Sequence, residues 1–191
     1  MNWFPDYNYI LASKSPRRQQ LLKLLGIKFT LRLKEVEEIY PVDLNPVDIP
    51  VYLAELKAQA LIPELKNNDL LITADTIVVL EGKVLGKPVN IEDSHRLLRL
   101  LSGKEHQVIS GVCLSSVDKM KSFNVFTNVV FKKLDEQEIV HYITTSQTLD
   151  KAGAYGIQDW IGYIGISHIE GSFYNVMGLP VQRLYEEILK F

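Results

Sequence analysis

Blocks of apolar and polar positions follow one another along the chain, and their spacing predicts strands and helices in turn. An apolar run over 7–12 predicts a first strand, and leucines at helical spacing predict a helix over 16–25. A second helix is expected over 51–65, where apolar side chains share one face. The next apolar run, 70–80, is rich in β-branched residues and predicts a long strand that turns back at 81–83.

The second half of the chain continues the same alternation. Asn90 is expected to cap a helix that ends near Leu101, and two long strands follow over 107–116 and 122–132. Since a short polar turn joins these two strands, part of the sheet is expected to be antiparallel, and the chain is predicted to be mixed α/β. The remaining predicted elements are a helix over 136–144, a loop over 150–158, a strand over 163–169 and a last helix from Pro180 to about Lys190.

Size, charge and cysteine content restrict the class of protein. The chain has 191 residues, of which 47% are hydrophobic, and this suits a single domain over 1–191, with one lobe or two. Its 21 basic and 23 acidic residues form no basic stripe, so we expect no nucleic-acid partner. We expect no membrane partner either, because no apolar segment is long enough to span a bilayer and no secretory signal is visible. The single cysteine, Cys113, lies in an apolar run, which fits a core position and a cytoplasmic location.

The junction between the first strand and the first helix carries a first candidate site. Ser15 is a good N-cap, Pro16 suits the first helical position, and Arg17 and Arg18 then fall in the first turn. Positive charge is unfavourable there, because a helix N-terminus is already partly positive. Backbone N–H groups, hydroxyls and two guanidinium groups at a helix start would hold a polyanion such as a phosphate chain. The alternative, a surface helix whose arginines face water, is equally open from these residues.

A second candidate is the aspartate inside the predicted strand over 70–80. Asp75 and Thr76 interrupt the apolar run on both sides. Aspartate is disfavoured inside strands, and its buried charge is costly unless something offsets it. Asp75 is therefore expected to have a partner, a metal or a catalytic task. The alternative is an aspartate at a strand end or bulge that is hydrogen-bonded to nearby N–H groups.

Two further segments could serve the same chemistry. Carboxylates at Glu35, Glu37 and Glu38 could hold Mg²⁺ through oxygen ligands, although a solvated acidic edge is favoured for these residues alone. The segment 150–158 contains glycines that permit unusual backbone angles, and it ends in Gln158, whose amide can recognise a pyrimidine edge. An ordinary surface loop is the alternative for this segment. The chain also has two single lysines, Lys57 and Lys87. Taken alone, each would be expected to be exposed to solvent.

Several short motifs occur in one order along the chain. They are SKSPRR at 13–18, EE at 37–38, ADT at 74–76, LGKP at 85–88, LSG at 101–103 and DKAGAYGIQ at 150–158. Together they closely resemble the Maf family of nucleoside triphosphate pyrophosphatases. The resemblance runs from about Tyr9 to Phe191. It implies an α/β fold with a mixed sheet and two lobes, related to the inosine triphosphate pyrophosphatases, with the active site in the cleft between the lobes.

The resemblance also implies an activity and a set of site residues. The expected reaction is hydrolysis of a nucleoside triphosphate to the monophosphate and pyrophosphate, with dTTP and UTP preferred and modified pyrimidine triphosphates as further candidates. The family's acidic catalytic residue falls on Asp75, and its specificity positions fall on Arg17, Thr76 and Gln158. Further active-site positions match Ser13, Arg18, Glu38, Lys57 and Lys87. The chain departs from the family over 159–162, where DWIG replaces small, glycine-rich residues.

These residues suit polyphosphate cleavage, which depends mostly on positioning and charge neutralisation. A divalent cation, Mg²⁺ or Mn²⁺, near Glu38 would stabilise the departing pyrophosphate, and Asp75 is a second candidate ligand. Asp75 would also accept a proton from the attacking water. Three roles are therefore open for Asp75: general base, metal ligand, or both. The phosphate chain would be held by the basic side chains Arg17, Arg18, Lys57 and Lys87.

Two other functions stay open at this point. One is a nucleotide-binding regulator of cell division without turnover, and the other is an enzyme that clears damaged purine triphosphates. Asp75 beside a full basic set favours an enzyme, because a pure binder needs no proton acceptor. Gln158 and Arg17 weigh against the purine alternative. The expected partner is a nucleoside triphosphate. A homodimer is a candidate assembly.

Overall fold

The computed structural model describes residues 3–191, in which strands and helices alternate along the chain as predicted. The strands of these residues are β1 (Asn8–Leu11), β2 (Phe29–Leu31), β3 (Asp69–Leu80), β4 (Lys83–Leu85), β5 (Glu105–Ser115), β6 (Met120–Phe131) and β7 (Ile166–Glu170). The helices are α1 (Pro16–Leu24), α2 (Ile49–Leu61), α3 (Ile91–Leu101), α4 (Glu136–Thr145), α5 (Trp160–Gly165), α6 (Phe173–Val176) and α7 (Val181–Leu189). No helix of residues 3–191 is long and apolar enough to cross a membrane.

The strands form a mixed sheet. Its order is β2-β1-β3-β5-β6-β7, and the short β4 pairs with β3. β1 runs parallel to both β2 and β3, whereas β3 is antiparallel to β4 and β6 is antiparallel to β7. The prediction of a mixed α/β fold is therefore confirmed.

The described chain divides into two compact units. The first unit comprises 3–75, 110–125 and 178–191, and the second unit comprises 76–109 and 126–177. The chain passes from the first unit to the second within β3, between Asp75 and Thr76. The expected position of the active site in a cleft between two lobes stays a prediction.

The first unit has a core in which α2 packs against strands. Ile10, Leu71 and Cys113 come from β1, β3 and β5, and they meet the buried residues Ala54, Ala58 and Leu61 of α2. The predicted core position of Cys113 is confirmed. Gly111 in β5 is needed for this packing, because a Cβ atom there would lie only 2.2 Å from the carbonyl carbon of Pro50, near the start of α2. The backbone of α2 thus begins directly against the backbone of β5.

The second unit has a larger core that surrounds an aromatic group. His106 is buried, and its Nε2 atom lies 2.7 Å from Tyr155 Oη. The rings of His106, Phe131 and Tyr155 contact one another edge to face. The core also contains Tyr142 and many aliphatic residues, among them Val78, Leu97, Leu98, Leu101, Val129, Ile139, Ile157 and Ile161.

Two predicted elements differ in the structure. The predicted strand over 163–169 is wrong at its start, since α5 continues to Gly165 and β7 begins at Ile166. A short apolar run fits either period. In the helix, Gly162 lies against the Ile157 carbonyl oxygen, where a Cβ atom would be only 1.9 Å away, so the observed conformation needs glycine there. The predicted helix over 51–65 instead spans Ile49–Leu61 and continues as a 3-10 turn at Ile62–Glu64, which contains the helix-breaking Pro63.

Candidate active site

The segment before α1 is built around two serine hydroxyls. Ser15 is the N-cap, and its Oγ atom accepts a hydrogen bond from the Arg18 backbone N–H at 3.5 Å. Ser13 is buried, and its Oγ atom accepts from the Ser15 N–H at 3.2 Å. Pro16 begins the helix as predicted. Arg17 and Arg18 therefore occupy the first turn, and both are half-buried.

Arg18 is tied to the backbone of the first unit. Its Nε atom donates to the Gly178 carbonyl at 2.7 Å, and Nη1 donates to the Ala74 carbonyl at 2.9 Å. Burial lowers the pKa of Arg18, while the charge of Asp75 raises it, Arg17 lowers it and Glu38 raises it. The alternative of a surface arginine does not hold for Arg18. The guanidinium instead fixes the backbone directly before Asp75.

Asp75 lies in an ion-pair cluster with Lys57 and Glu38. The Lys57 Nζ atom is 2.6 Å from Asp75 Oδ1 and 2.9 Å from Glu38 Oε1. The side chains of Asp75 and Lys57 are only 13% and 15% exposed, whereas that of Glu38 is 48% exposed. Asp75 and Thr76 are the half-buried pair between two buried stretches of β3. The charge that the sequence placed inside a strand is thus offset by a lysine from α2.

Within the acidic stretch, the structure brings Glu38 to this cluster. Glu35 instead pairs with Lys14 at 3.1 Å, and both of these side chains are exposed. Glu37 is exposed as well. The predicted metal position therefore rests on Glu38 and Asp75, whose carboxylates converge on one ammonium group.

The donor set at Glu38 and Asp75 fits a divalent cation that also binds substrate. Mg²⁺ prefers oxygen ligands and is usually bound by one or two carboxylates together with phosphate oxygens and water. Residues 3–191 contain no group of three or more His, Cys, Asp or Glu side chains arranged for a metal. The carboxylates of Glu38 and Asp75 could therefore hold a cation whose remaining ligands come from phosphates and water.

The predicted residues of the second unit are Thr76, Lys87 and Gln158. Lys87 is exposed in the turn after β4 and lines a cavity of about 470 Å³ with Leu85, Gly86 and Arg96. The segment 150–158 is attached to this turn, because the Gly153 N–H donates to the Gly86 carbonyl at 3.0 Å. Gly153 has a φ of +67° and would place a Cβ atom 3.2 Å from Val78, so glycine is required there. The segment is thus an ordered part of the unit and not a loose loop.

The Gln158 side chain packs against Gly156 and is hydrogen-bonded to the neighbouring Asp159. Its Nε2 atom donates to Asp159 Oδ1 at 3.0 Å, and its Oε1 atom is buried without a hydrogen-bond partner among residues 3–191. A Cβ atom at Gly156 would lie 2.6 Å from Gln158 Nε2 and 2.7 Å from Asp159 Oδ2. Gly156 therefore makes room for both side chains. A buried acceptor without a partner is rare in proteins and needs a specific explanation, such as a functional role or a bound water molecule.

Sequence reasoning missed the residues that support Gln158. Tyr142 Oη donates to Asp159 Oδ2 at 2.7 Å, and the Lys151 Nζ atom is 3.4 Å from the same oxygen. Tyr142 belongs to α4 and Lys151 to the DKAGAYGIQ segment. The one available signal was the departure from the family pattern at Asp159.

Comparison with known proteins assigns the family. A family model described as Maf-like protein matches residues 8–191. A dTTP/UTP pyrophosphatase of Bacteroides thetaiotaomicron is 52% identical over 185 residues, which are 96% of this chain and 96% of that protein. A dTTP/UTP pyrophosphatase of Phocaeicola vulgatus shows the same identity and coverage. The chain is a member of the Maf family.

Solved structures of other proteins show a more distant likeness. The Ham1 protein of Staphylococcus aureus has a TM-score of 0.48 and 18% identity, covering 65% of this chain and 71% of that chain. A nucleoside-triphosphatase, named dITP/XTP pyrophosphatase, of Mycobacterium abscessus has a TM-score of 0.41 and 13% identity, covering 65% of this chain and 72% of that chain.

Proposed function

We propose that this protein hydrolyses nucleoside triphosphates, preferentially dTTP and UTP, to the nucleoside monophosphate and pyrophosphate. The observation that carries the proposal is Asp75, held 2.6 Å from Lys57 in the interior of a strand that is otherwise mostly buried. Such a charged pair is costly to maintain inside a strand, which indicates a function for it, and a carboxylate can accept the proton of an attacking water. Relatives about half identical over nearly the whole chain carry the name dTTP/UTP pyrophosphatase, which supports the proposed substrates.

In the proposed mechanism, Asp75 is the general base. A water molecule attacks the triphosphate, its oxygen bonds to phosphorus, and its proton passes to the Asp75 carboxylate. The anhydride bond between the α- and β-phosphates breaks, and pyrophosphate leaves. Lys57 holds the carboxylate in place through its contact at 2.6 Å.

The phosphate chain is proposed to meet a basic set of side chains. Charge-assisted hydrogen bonds from guanidinium and ammonium groups neutralise the phosphates where negative charge builds up during cleavage. The backbone N–H groups at the start of α1, with Ser13, extend this set. The two carbonyl contacts of Arg18 restrict its guanidinium to one place, so its charge is pre-positioned. The side chains proposed for this role are Arg17, Arg18, Lys57 and Lys87.

A divalent cation is proposed as the cofactor. When bound, Mg²⁺ or Mn²⁺ would neutralise negative charge on the phosphates during cleavage. Glu38 and Asp75 would hold it, since their carboxylates already converge on one cationic group. Lys57 would then share these carboxylates with the metal.

The base is proposed to be recognised by Arg17, Thr76 and Gln158. The Gln158 amide can pair with the polar edge of a pyrimidine, and its buried Oε1 atom has no hydrogen-bond partner among residues 3–191. A site built to pair such groups discriminates strongly, because the wrong base leaves buried polar atoms without partners.

The cytoplasm is the proposed location. The single cysteine, Cys113, is buried and free, so the protein needs no oxidising compartment.

A homodimer is the proposed assembly, and light scattering of the purified protein tests it.

A panel assay tests the proposed function. Release of pyrophosphate is measured from standard and modified triphosphates with Mg²⁺, with Mn²⁺ and with excess chelator. We expect pyrophosphate from dTTP and UTP and no activity in chelator. Orthophosphate as the product, or full activity in chelator, would contradict the proposal. Binding without turnover would instead favour a regulator, and preference for damaged purine triphosphates would favour the other enzyme class.

A further inference from the structure

The carboxylate of Asp159 is placed unusually for a residue that directly precedes a helix. Aspartate in this position commonly accepts a hydrogen bond from the first backbone N–H groups of the helix. Asp159 makes no such bond with α5. Its Oδ1 atom accepts from Gln158 Nε2 at 3.0 Å, and its Oδ2 atom accepts from Tyr142 Oη at 2.7 Å.

The partners of Asp159 fix the direction of its carboxylate. Burial raises the pKa of Tyr142, and the hydrogen bond to Asp159 raises it further, so this phenol keeps its proton and donates. Tyr142 Oη also accepts from the Gly156 N–H at 3.1 Å, which holds the hydroxyl in place. Lys151, whose side chain is only 8% exposed, lies 3.4 Å from Asp159 Oδ2.

This arrangement determines which end of the Gln158 amide is available. A carboxylate can only accept hydrogen bonds, so the amide must turn its NH₂ group toward Asp159. The Oε1 atom then points away, and it is buried without a partner among residues 3–191. Gly156 packs against the side chains of Gln158 and Asp159, which leave no room for a Cβ atom at this position. The amide therefore uses one N–H for Asp159 and presents Oε1 as an acceptor without a partner.

We propose that Asp159 is a positioning residue that makes Gln158 present an acceptor, and that this orientation is what produces the proposed preference for pyrimidines that carry a hydrogen on N3. The inference rests on the proposed function, in which Gln158 meets the base. Uracil and thymine carry N3–H, which can donate to Gln158 Oε1. The N3 atom of cytosine is an acceptor, so it would face Oε1 and leave two acceptors without a donor.

Kinetics with three substrates test this inference. The ratio kcat/KM is measured for UTP, CTP and 4-thio-UTP, which keeps N3–H but replaces the C4 oxygen. We expect the protein to prefer UTP and 4-thio-UTP over CTP by about tenfold or more. In Asp159→Asn the new amide can accept or donate, so Gln158 can turn over. The UTP/CTP ratio should then fall by about tenfold, with a larger change in KM than in kcat.

A matched control separates positioning from a change in local charge. Asp150→Asn removes the same charge beside Lys151, which lies 3.1 Å from Asp150, and should keep the UTP/CTP ratio. Tyr142→Phe removes one donor to Asp159 without touching Gln158, and should lower the ratio by a smaller factor. This second variant keeps the test open if Asp159→Asn does not fold.

Binding measurements separate this inference from the proposed function. Calorimetry with the non-hydrolysable α,β-methylene analogues of UTP and CTP needs no turnover. A preference for the UTP analogue that Asp159→Asn loses supports the inference even in a protein that hydrolyses neither nucleotide, and only the proposed function then fails. Equal affinity of the unmodified protein for both analogues, or an unchanged ratio in a folded Asp159→Asn variant, overturns the inference.

Discussion

Lys57 holds the carboxylates of Asp75 and Glu38 together, with its ammonium group 2.6 Å from the first and 2.9 Å from the second. The two acidic side chains come from different parts of the first unit, and the lysine from α2 lies beside both. The lysine thus joins a carboxylate inside β3 and a carboxylate of the acidic stretch in one charged cluster.

Asp75→Asn tests the proposed general base. Asparagine keeps the size of the side chain but cannot accept the proton, so turnover of UTP should fall by about 10²- to 10⁴-fold. Steady-state kinetics and a thermal melt are measured on the same preparation. Glu37→Gln is the control, since Glu37 is exposed, and it should leave turnover within a few-fold of normal. An Asp75→Asn variant that turns over as fast as this control would exclude Asp75 as the base.

Arg18→Ala should lower both stability and turnover. The guanidinium donates to the carbonyls of Gly178 and Ala74, and both acceptors lose a charged donor in the variant. A hydrogen bond to a charged group contributes about 1.5–3 kcal/mol, so a clear drop in Tm is expected together with slower turnover. Arg99→Ala is the control, because Arg99 pairs with Glu136 at the surface of α3 and should change Tm little. An unchanged Tm in Arg18→Ala would mean that the two carbonyl contacts contribute nothing.

Lys87→Ala should affect kinetics alone. Lys87 is exposed, so its loss leaves the core intact and Tm should match that of the unmodified protein. If its ammonium group meets a phosphate, kcat/KM should fall by about tenfold or more. Lys83→Ala is the matched control, since Lys83 lines the same cavity without having been assigned to the site. Equal kinetics in the two variants would remove Lys87 from the proposed phosphate contacts.

Gly156→Ala should displace Gln158. The added Cβ atom would meet Gln158 Nε2 at 2.6 Å and Asp159 Oδ2 at 2.7 Å, so one or both side chains must move. We expect a loss of kcat/KM for UTP that is larger than its loss for CTP. Gly86→Ala serves as the control, because a Cβ atom there meets nothing within 4 Å. Equal losses for the two nucleotides in Gly156→Ala would show that the displaced amide does not recognise the base.

His106 predicts how stability depends on pH. Burial lowers its pKa from 6.5 to about 4, so the unfolded chain binds a proton in a range where the folded protein does not. The free energy of unfolding should therefore decrease as pH falls below 6.5, by about 1–2 kcal/mol between pH 6.5 and 5 from this residue.

Denaturant unfolding at pH 6.5 and pH 5 measures this dependence. His106→Gln should flatten it even if the variant is less stable at both values. His168→Gln is the control, because His168 is exposed, and should leave the dependence unchanged. The same pH dependence in His106→Gln and in the unmodified protein would contradict the prediction.

The sequence predicted most elements because their hydrophobic periods are strong. β3 was expected over 70–80 and spans Asp69–Leu80, and the helix capped by Asn90 spans Ile91–Leu101. The prediction failed at 163–165, where a short apolar run fits a strand and a helix equally well. The helix found there brings Gly162 against the Ile157 carbonyl oxygen, a backbone contact that no local pattern reveals.

The candidate site was predictable residue by residue but not as a set of contacts. Lys57 looked like a solvent lysine, and its pairing with Asp75 joins a helix and a strand that are separated in the chain. The family resemblance pointed to Glu38, but the residue types in the acidic stretch did not distinguish it from Glu35, because the difference arises from where Lys14 and Lys57 lie. The support of Gln158 by Tyr142 was likewise beyond local patterns, since it comes from another helix.

The close approach of α2 to β5 at Gly111 has a consequence for mutational surveys of this protein. Any side chain at Gly111 would push the start of α2 away, because its first atom would lie 2.2 Å from Pro50. Lys57 sits on that same helix, and its ammonium group would move with it relative to Asp75. A survey that scores loss of activity would therefore rank Gly111 beside the charged residues, although glycine has no side chain with which to act. Only a structural readout would show that this position sets a spacing and performs no chemistry.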